Sequence, residues 1–285
     1  MGKNIYLSYF RIARPLNCIF VILTTFLGFY YLQHHFQFSI IFACLSASFI
    51  AASGYIINDY FDYPIDLINK PQRPISQGTI SLLKAKRYGS IIGGLGILFA
   101  ILTFNTLCLL LVLLNSISLF FYAFRGKKTF LLGNIIVAWN SSSTFLLGAL
   151  LNNNYRNIIS LIIISFMYTI IREWVKQIED YEGDLAGGVH SIIVTLGRDK
   201  AKNVISIPIF MMIIVLCLFW RFKIISFSLF WSLFLIIIIP LIILYYFLIQ
   251  SKHQKTIYKI HIFMKLNMFS IVILYIIHDL LVSGI

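Results

Sequence analysis

Residues 203–220, NVISIPIFMMIIVLCLFW, and residues 225–249, ISFSLFWSLFLIIIIPLIILYYFLI, are two apolar runs separated only by Arg221-Phe222-Lys223-Ile224. An apolar stretch of about 18 or more residues reads as a helix that crosses a membrane. The pattern recurs along the chain. Further candidate spans lie at 16–33, 38–57, 88–104, 106–124, 129–152, 157–175 and 264–283, which makes nine. The third and fourth meet near Asn105 almost without a loop and predict a tight helical hairpin. The gap at 250–263 carries Lys252, Lys255 and Lys259. The 285 residues are 60% hydrophobic and 12% charged, with a mean hydropathy of +0.90. One soluble core could not bury that much apolar surface. The expected fold is an all-α integral membrane bundle of nine transmembrane helices.

The net charge of +13 does not point to nucleic acid, because the basic residues sit in short loops between apolar segments. With the N-terminus inside, 20 of the 23 lysines and arginines fall on the inner side, and only Arg156, Arg221 and Lys223 fall outside. That bias predicts a cytoplasmic N-terminus and cytoplasmic loops after the even-numbered spans. Lys3, Lys127 and Lys128 are among the inner residues. The four cysteines, Cys18, Cys44, Cys108 and Cys217, lie in apolar segments without metal-ligand spacing and read as packing or lipid-facing residues. The opening MGKNIYLSYFRIARP has the form of neither a cleavable signal nor a myristoylation site.

The acidic residues are few and clustered. Of the ten, Asp59, Asp62 and Asp66 follow the second span. Glu173, Glu179, Asp180, Glu182, Asp184 and Asp199 follow the sixth, and only Asp279 lies elsewhere. In NDYFDYPID, Asp59, Asp62 and Asp66 are spaced i, i+3, i+7, which puts three carboxylates on one helical stripe, with Pro64 ending or kinking the helix. In REWVKQIEDYEGD, Glu173, Lys176, Asp180 and Asp184 form a second stripe. Each cluster follows a span and precedes a loop with glycine and basic residues, a weak internal duplication that predicts two halves facing one site. A solvated helix end with local ion pairs is the plainer alternative for either cluster alone. Two clusters on one membrane face suit Mg²⁺ shared with a substrate diphosphate, since this hard cation binds through a few carboxylates plus phosphate oxygens. In the loop NKPQRPISQG, Lys70 and Arg73 are candidate phosphate ligands, with loop charge bias as the alternative. Lys176, set among carboxylates, is a third.

Together, NDYFDYPID, NKPQRPISQG and REWVKQIEDYEGD resemble the UbiA superfamily of intramembrane prenyltransferases. The resemblance covers most of the chain and treats residues 1–285 as one membrane domain. It implies a helical bundle with an active-site cavity open to the cytoplasmic face and a lateral portal for lipids. It carries the first motif onto Asn58, Asp59, Asp62 and Asp66 and the second onto Asp180 and Asp184, with Mg²⁺ held by Asp59, Asp62, Asp180 and Asp184. Lys70, Arg73 and Lys176 map to phosphate-binding residues, and Asn17 in Arg14-Pro15-Leu16-Asn17 would face the cavity. The run is most similar to digeranylgeranylglyceryl phosphate synthase-like members, which implies geranylgeranyl transfer from a prenyl diphosphate to a prenylglycerol phosphate. An aromatic acceptor, as in quinone or haem synthesis, is the rival. Gln177 and Ile193-Val194 depart from the pattern of many relatives and bear on the acceptor.

Ionisation of an allylic diphosphate would leave a cation that aromatic faces stabilise, with Tyr55, Tyr60 and Tyr168 as candidates and packing as the alternative for each. Asp66 is a candidate base, metal ligand or support. His278-Asp279 in the last span reads as a structural pair. Asn140 to Thr144 would either line the cavity or bond between helices. A transporter would place its charges near the midplane, which here is almost uncharged. A prenyl-lipid-binding scaffold would not need both acidic stripes.

Overall fold

The computed structural model describes residues 5–34, 36–126, 129–153 and 155–283. Lys3, Lys127 and Lys128 lie outside the described residues. Lipid offers the backbone no hydrogen bonds, so a spanning chain must satisfy its own N–H and C=O groups; every regular element here is helical. Helices α1 (Ile5–Ile12) and α2 (Pro15–Tyr30) form a pair bent by 41° at Arg14. α3 (Ser39–Phe61) ends in the first acidic motif and passes into the short α4 (Tyr63–Asn69). α5 (Leu82–Ile101) and α6 (Thr106–Phe124) form the expected hairpin, with the Asn105 side chain accepting from Cys108 N–H at 3.0 Å as an N-cap. α7 (Leu132–Asn152) leads into α8 (Tyr155–Glu179), which carries the second motif into the short α9 (Tyr181–Ala186). Small helices α10 (Ile192–Leu196) and α11 (Arg198–Val204) precede α12 (Ser206–Arg221).

The run at 225–249 forms one continuous helical span, Phe227–Gln250. It comprises α13 (Phe227–Leu233), a π-helical turn over Phe234–Ile238 and α14 (Ile239–Gln250). Pro240 lacks an N–H, and Ile239 N–H bonds back five residues to Phe234 C=O, so the ladder widens just before the proline. α15 (Gln254–Ser283) is longer than the span expected at 264–283. Its 30 residues reach about 45 Å, beyond a hydrocarbon core of about 30 Å, so Lys255 and Lys259 sit on a helical extension rather than in a loop.

Among the described residues, seven helical segments are long and apolar enough to cross a membrane, or eight if the bent pair α1 and α2 counts as one span. The expectation of nine differs at α5, whose first turns hold Lys84, Lys86 and Arg87 and leave too short an uncharged stretch. Large apolar side chains such as Phe210, Ile117 and Leu266 stand more than 60% exposed on the outer faces, where a membrane protein meets lipid. The inner contacts use small residues. A Cβ on Gly28 of α2 would lie 2.0 Å from Phe145 C=O, and one on Gly148 of α7 would lie 1.9 Å from Thr25 C=O. The α2 and α7 backbones therefore touch in a way that only glycine permits.

Candidate active site

Both acidic motifs break their helix at an aspartate. α3 stops at Phe61, Asp62 takes φ −79° and ψ −2°, and α4 resumes with Pro64 in its first turn, where proline's missing N–H costs nothing. α8 stops at Glu179, Asp180 takes φ −86° and ψ 6°, and α9 resumes. Asp66 N–H then bonds Asp62 C=O at 2.8 Å, and Asp184 N–H bonds Asp180 C=O at 3.0 Å. The first stripe is therefore not one helix, and Asp66 lies within regular structure rather than beyond it. The second stripe is likewise bent.

The short helices pack on each other. Asn69 Nδ2 donates to Asp180 C=O at 2.9 Å, and Asn69 Oδ1 accepts from Gly183 N–H at 3.1 Å. Lys70 bonds Glu179 and lies 3.0 Å from Asp180 Oδ1, so the loop after the first motif is tied to the second. Glu179 also meets His261 Nδ1 of α15 at 2.7 Å. Arg73 Nη1 donates to Asp59 Oδ1 at 2.9 Å and to Asp66 Oδ2 at 2.5 Å. Arg14 Nη2 reaches Asp59 Oδ1 at 2.5 Å, and Asn58 Nδ2 holds Asp62 Oδ2 at 2.7 Å.

Asp59, Asp62, Asp66, Asp180 and Asp184 are all buried, none more than 9% exposed. Solvated helix ends would leave them in water, which burial contradicts, while the local ion pairs of that alternative are present. Burial, above all, raises the Asp66 carboxyl to about 6, with Asp62 and Asp59 adding repulsion against the pull of Arg73. Burial works against the Lys70 ammonium, but Asp180 and Glu179 outweigh it and hold its pKa above the ordinary lysine value.

These groups close over a cavity of about 370 Å³ between α2, α3, α6, α7, α8 and α15. Asn17, Asn58, Lys70, Arg73 and Lys176 line it, and the five aspartates are not among its lining residues. Its deeper wall includes Val21, Ala47, Ile50, Val112 and Leu147. Of the three tyrosines considered, Tyr55 lines the cavity, with Arg14 4.8 Å above its ring. Tyr60 does not line it. Tyr168 is fully buried and donates toward Met264 C=O and Asn267 Oδ1, a packing role. Asn140, Ser141 and Thr144 line the wall, and two of them also bond between helices, Asn140 to Ser118 at 2.8 Å and Thr144 to Thr24 at 2.8 Å. His278-Asp279 is structural: His278 meets Tyr31 and Ser226, and Asp279 accepts from Leu32 N–H at 2.8 Å.

Sequence reasoning missed Arg14, Arg172, His261 and Lys265 as cavity residues. Arg14 holds φ 53°, an unusual left-handed conformation just before Pro15, and no pattern announces it. His261 and Lys265 do leave a signal, two polar residues one helical turn apart entering an apolar helix.

The donor set fits a hard divalent cation: carboxylate oxygens plus Asn58 Oδ1, which is buried and accepts no hydrogen bond from a described residue. Among the described residues no three Asp, Glu, His or Cys side chains converge as a complete cage. Phosphate oxygens from a ligand would have to finish the shell, as Mg²⁺ coordination commonly allows.

Helices long enough to cross a membrane, gathered over a cavity lined by charged groups on one part and apolar side chains on another, make an intramembrane site suited to an amphiphile with an anionic head. The chain belongs to the UbiA prenyltransferase family, whose model matches residues 21–269. It is therefore an integral membrane prenyl-transferring enzyme. It is 35% identical over 272 residues to digeranylgeranylglyceryl phosphate synthase of Methanobrevibacter smithii, covering 91% of this chain and 93% of that one. A solved structure from work on digeranylgeranylglyceryl phosphate synthase in membranes superposes with a TM-score of 0.74 at 27% identity, over 96% of this chain and 98% of the other. A UbiA homolog from Archaeoglobus fulgidus bound to GPP and Mg²⁺ shares the fold with a TM-score of 0.66 at 19% identity, over 93% and 99%.

Proposed function

We propose that this enzyme transfers a geranylgeranyl group from its diphosphate to the hydroxyl of a prenylglycerol phosphate, forming an ether lipid. The observation that carries the reading is the junction of the two acidic motifs, with Lys70 bonded to Glu179 and 3.0 Å from Asp180 at the mouth of an apolar cavity. The names of relatives at 32–39% identity support the acceptor. Residues 1–285 act as one domain, nine spans place the N-terminus and the acidic loops on the cytoplasmic side, and the cavity opens there. α5 serves as the ninth span, its basic first turns lying at the membrane surface.

Asp59, Asp62, Asp180 and Asp184 would hold Mg²⁺. Bound there, Mg²⁺ supplies the charge that neutralises a departing diphosphate. Lys70 and Arg73 exchange their carboxylate contacts for diphosphate oxygens, and Lys176, Asn17 and Asn58 complete the polar wall around the head. Asp66, bonded to Arg73 and set back from the cavity, positions that arginine. The Tyr55 ring faces the space where the allylic carbon gains positive charge, and the apolar wall keeps water from capturing it.

The test is label transfer from radiolabelled geranylgeranyl diphosphate by purified protein with Mg²⁺. Geranylgeranylglyceryl phosphate and 4-hydroxybenzoate are offered separately. Label is expected in the glycerol phosphate and not in the aromatic compound. Transfer to 4-hydroxybenzoate alone would keep the chemistry and overturn the acceptor.

A further inference from the structure

A second group of charges lines the cavity apart from Lys70 and Arg73. Arg172 and Lys176 of α8, Lys265 of α15 and Arg14 at the start of α2 all line it, and Arg14 also bonds Asp59. The charges of Arg172, Arg14 and Lys176 all act on Lys265. Lys265 makes no ion pair or hydrogen bond with a described residue. Arg172 Nε is buried and finds no acceptor among the described residues. Glu173 is the nearby carboxylate, and it is occupied by Arg172 at 2.5 Å and Lys176 at 3.4 Å. Three cations around Lys265 share two carboxylates, Glu173 and Asp59, and Lys265 itself has none; an unpaired cation in a poorly solvated place is unfavourable, and an anionic ligand relieves it.

The ligand's chemistry follows from the surroundings. Glu173 has no free oxygen donors to recruit a metal, so this side suits an anion that binds without one. A diphosphate fits the aspartate side, where hard oxygen donors are plentiful. Below Lys265, Met268 and Phe269 continue the same face of α15 at i+3 and i+4, and Phe269 meets Phe20 edge-on at 4.8 Å. A phosphate head on a hydrocarbon chain matches a cation above an apolar strip. We propose that Lys265 and Arg172 form a metal-free subsite for the phosphomonoester of the acceptor lipid. The subsite is separate from the one for the donor diphosphate. The inference rests on the proposed acceptor and names the residues that recognise it.

The test uses the full chain in detergent with Lys265→Met and, as the conservative variant, Lys265→Arg. Binding of geranylgeranylglyceryl phosphate and of its dephosphorylated alcohol is measured with EDTA present, and KM is measured for each substrate in the transfer assay. A hydrogen bond to a charged group is worth enough to make about a tenfold difference in affinity. Wild type should therefore bind the phosphate in EDTA at least about tenfold tighter than the alcohol. Lys265→Met should erase that preference and raise acceptor KM by a similar factor, with donor KM nearly constant, while Lys265→Arg should restore most of the preference. Unchanged acceptor binding in Lys265→Met, or a rise in donor KM in place of acceptor KM, would overturn the subsite. Phosphate-selective binding that depends on Lys265, without any transfer to this acceptor, would sink the transfer reaction and leave the subsite standing.

Discussion

Arg73 reaches Asp59 and Asp66 from one nitrogen, and Arg14 reaches Asp59 from another helix. The carboxylates repel one another on their stripe, and in the ligand-free protein these arginines supply the balancing charge. Arg73→Ala leaves buried Asp66 without its cation and Asp59 with Arg14 alone, and would remove the proposed phosphate donor. Its kcat/KM is expected to fall by about 10²-fold or more in the transfer assay. Arg73→Lys keeps a point charge but loses the planar group and should fall between the two; full activity in Arg73→Ala would contradict the assignment. The aspartates were legible because three acids at i, i+3, i+7 beside an apolar span repel one another unless a cation joins them. Arg14 was not, since its partner lies 45 residues away and its placement depends on a left-handed backbone turn.

At the scale of helices, the contact of α2 with α7 depends on Gly28 and Gly148. A methyl group at Gly148 would meet the Thr25 carbonyl, which belongs to a helix and cannot swing aside. Gly148→Ala should cost about 1–3 kcal/mol and lower the melting temperature in detergent. Gly94→Ala, where a Cβ meets nothing within 4 Å, should leave it unchanged or slightly raised, because alanine favours helix. Equal melting temperatures for the two variants would refute the close packing. Existence and order of the long helices were readable from apolar length alone. Their ends were not: α15 begins ten residues before the expected span, since its polar first turns carry no apolar signal, and the breaks at Asp62 and Asp180 depend on how α4 and α9 pack.

For the whole molecule, the proposed nine spans and the positive-inside orientation together predict chain ends on opposite sides of the membrane. Lys200 and Lys223 lie on either side of α12 and are both exposed. Cysteines placed at these two positions in a cysteine-free chain should label with an impermeant reagent from opposite faces of sealed vesicles, Lys200→Cys from the cytoplasmic face; labelling from one face would break the topology. The central claim is that two motifs 121 residues apart, Asp59 and Asp180, serve one diphosphate. It is tested most directly by Mg²⁺-dependent binding of a non-ionisable thio analogue of geranylgeranyl diphosphate to wild type, Asp62→Asn, Asp180→Asn and the double variant. Groups that act on one ligand as a unit are strongly non-additive. The account predicts that either single change removes nearly all Mg²⁺-dependent binding and that the double variant is no worse. Independent losses that simply add, or a motif whose change leaves binding intact, would contradict it.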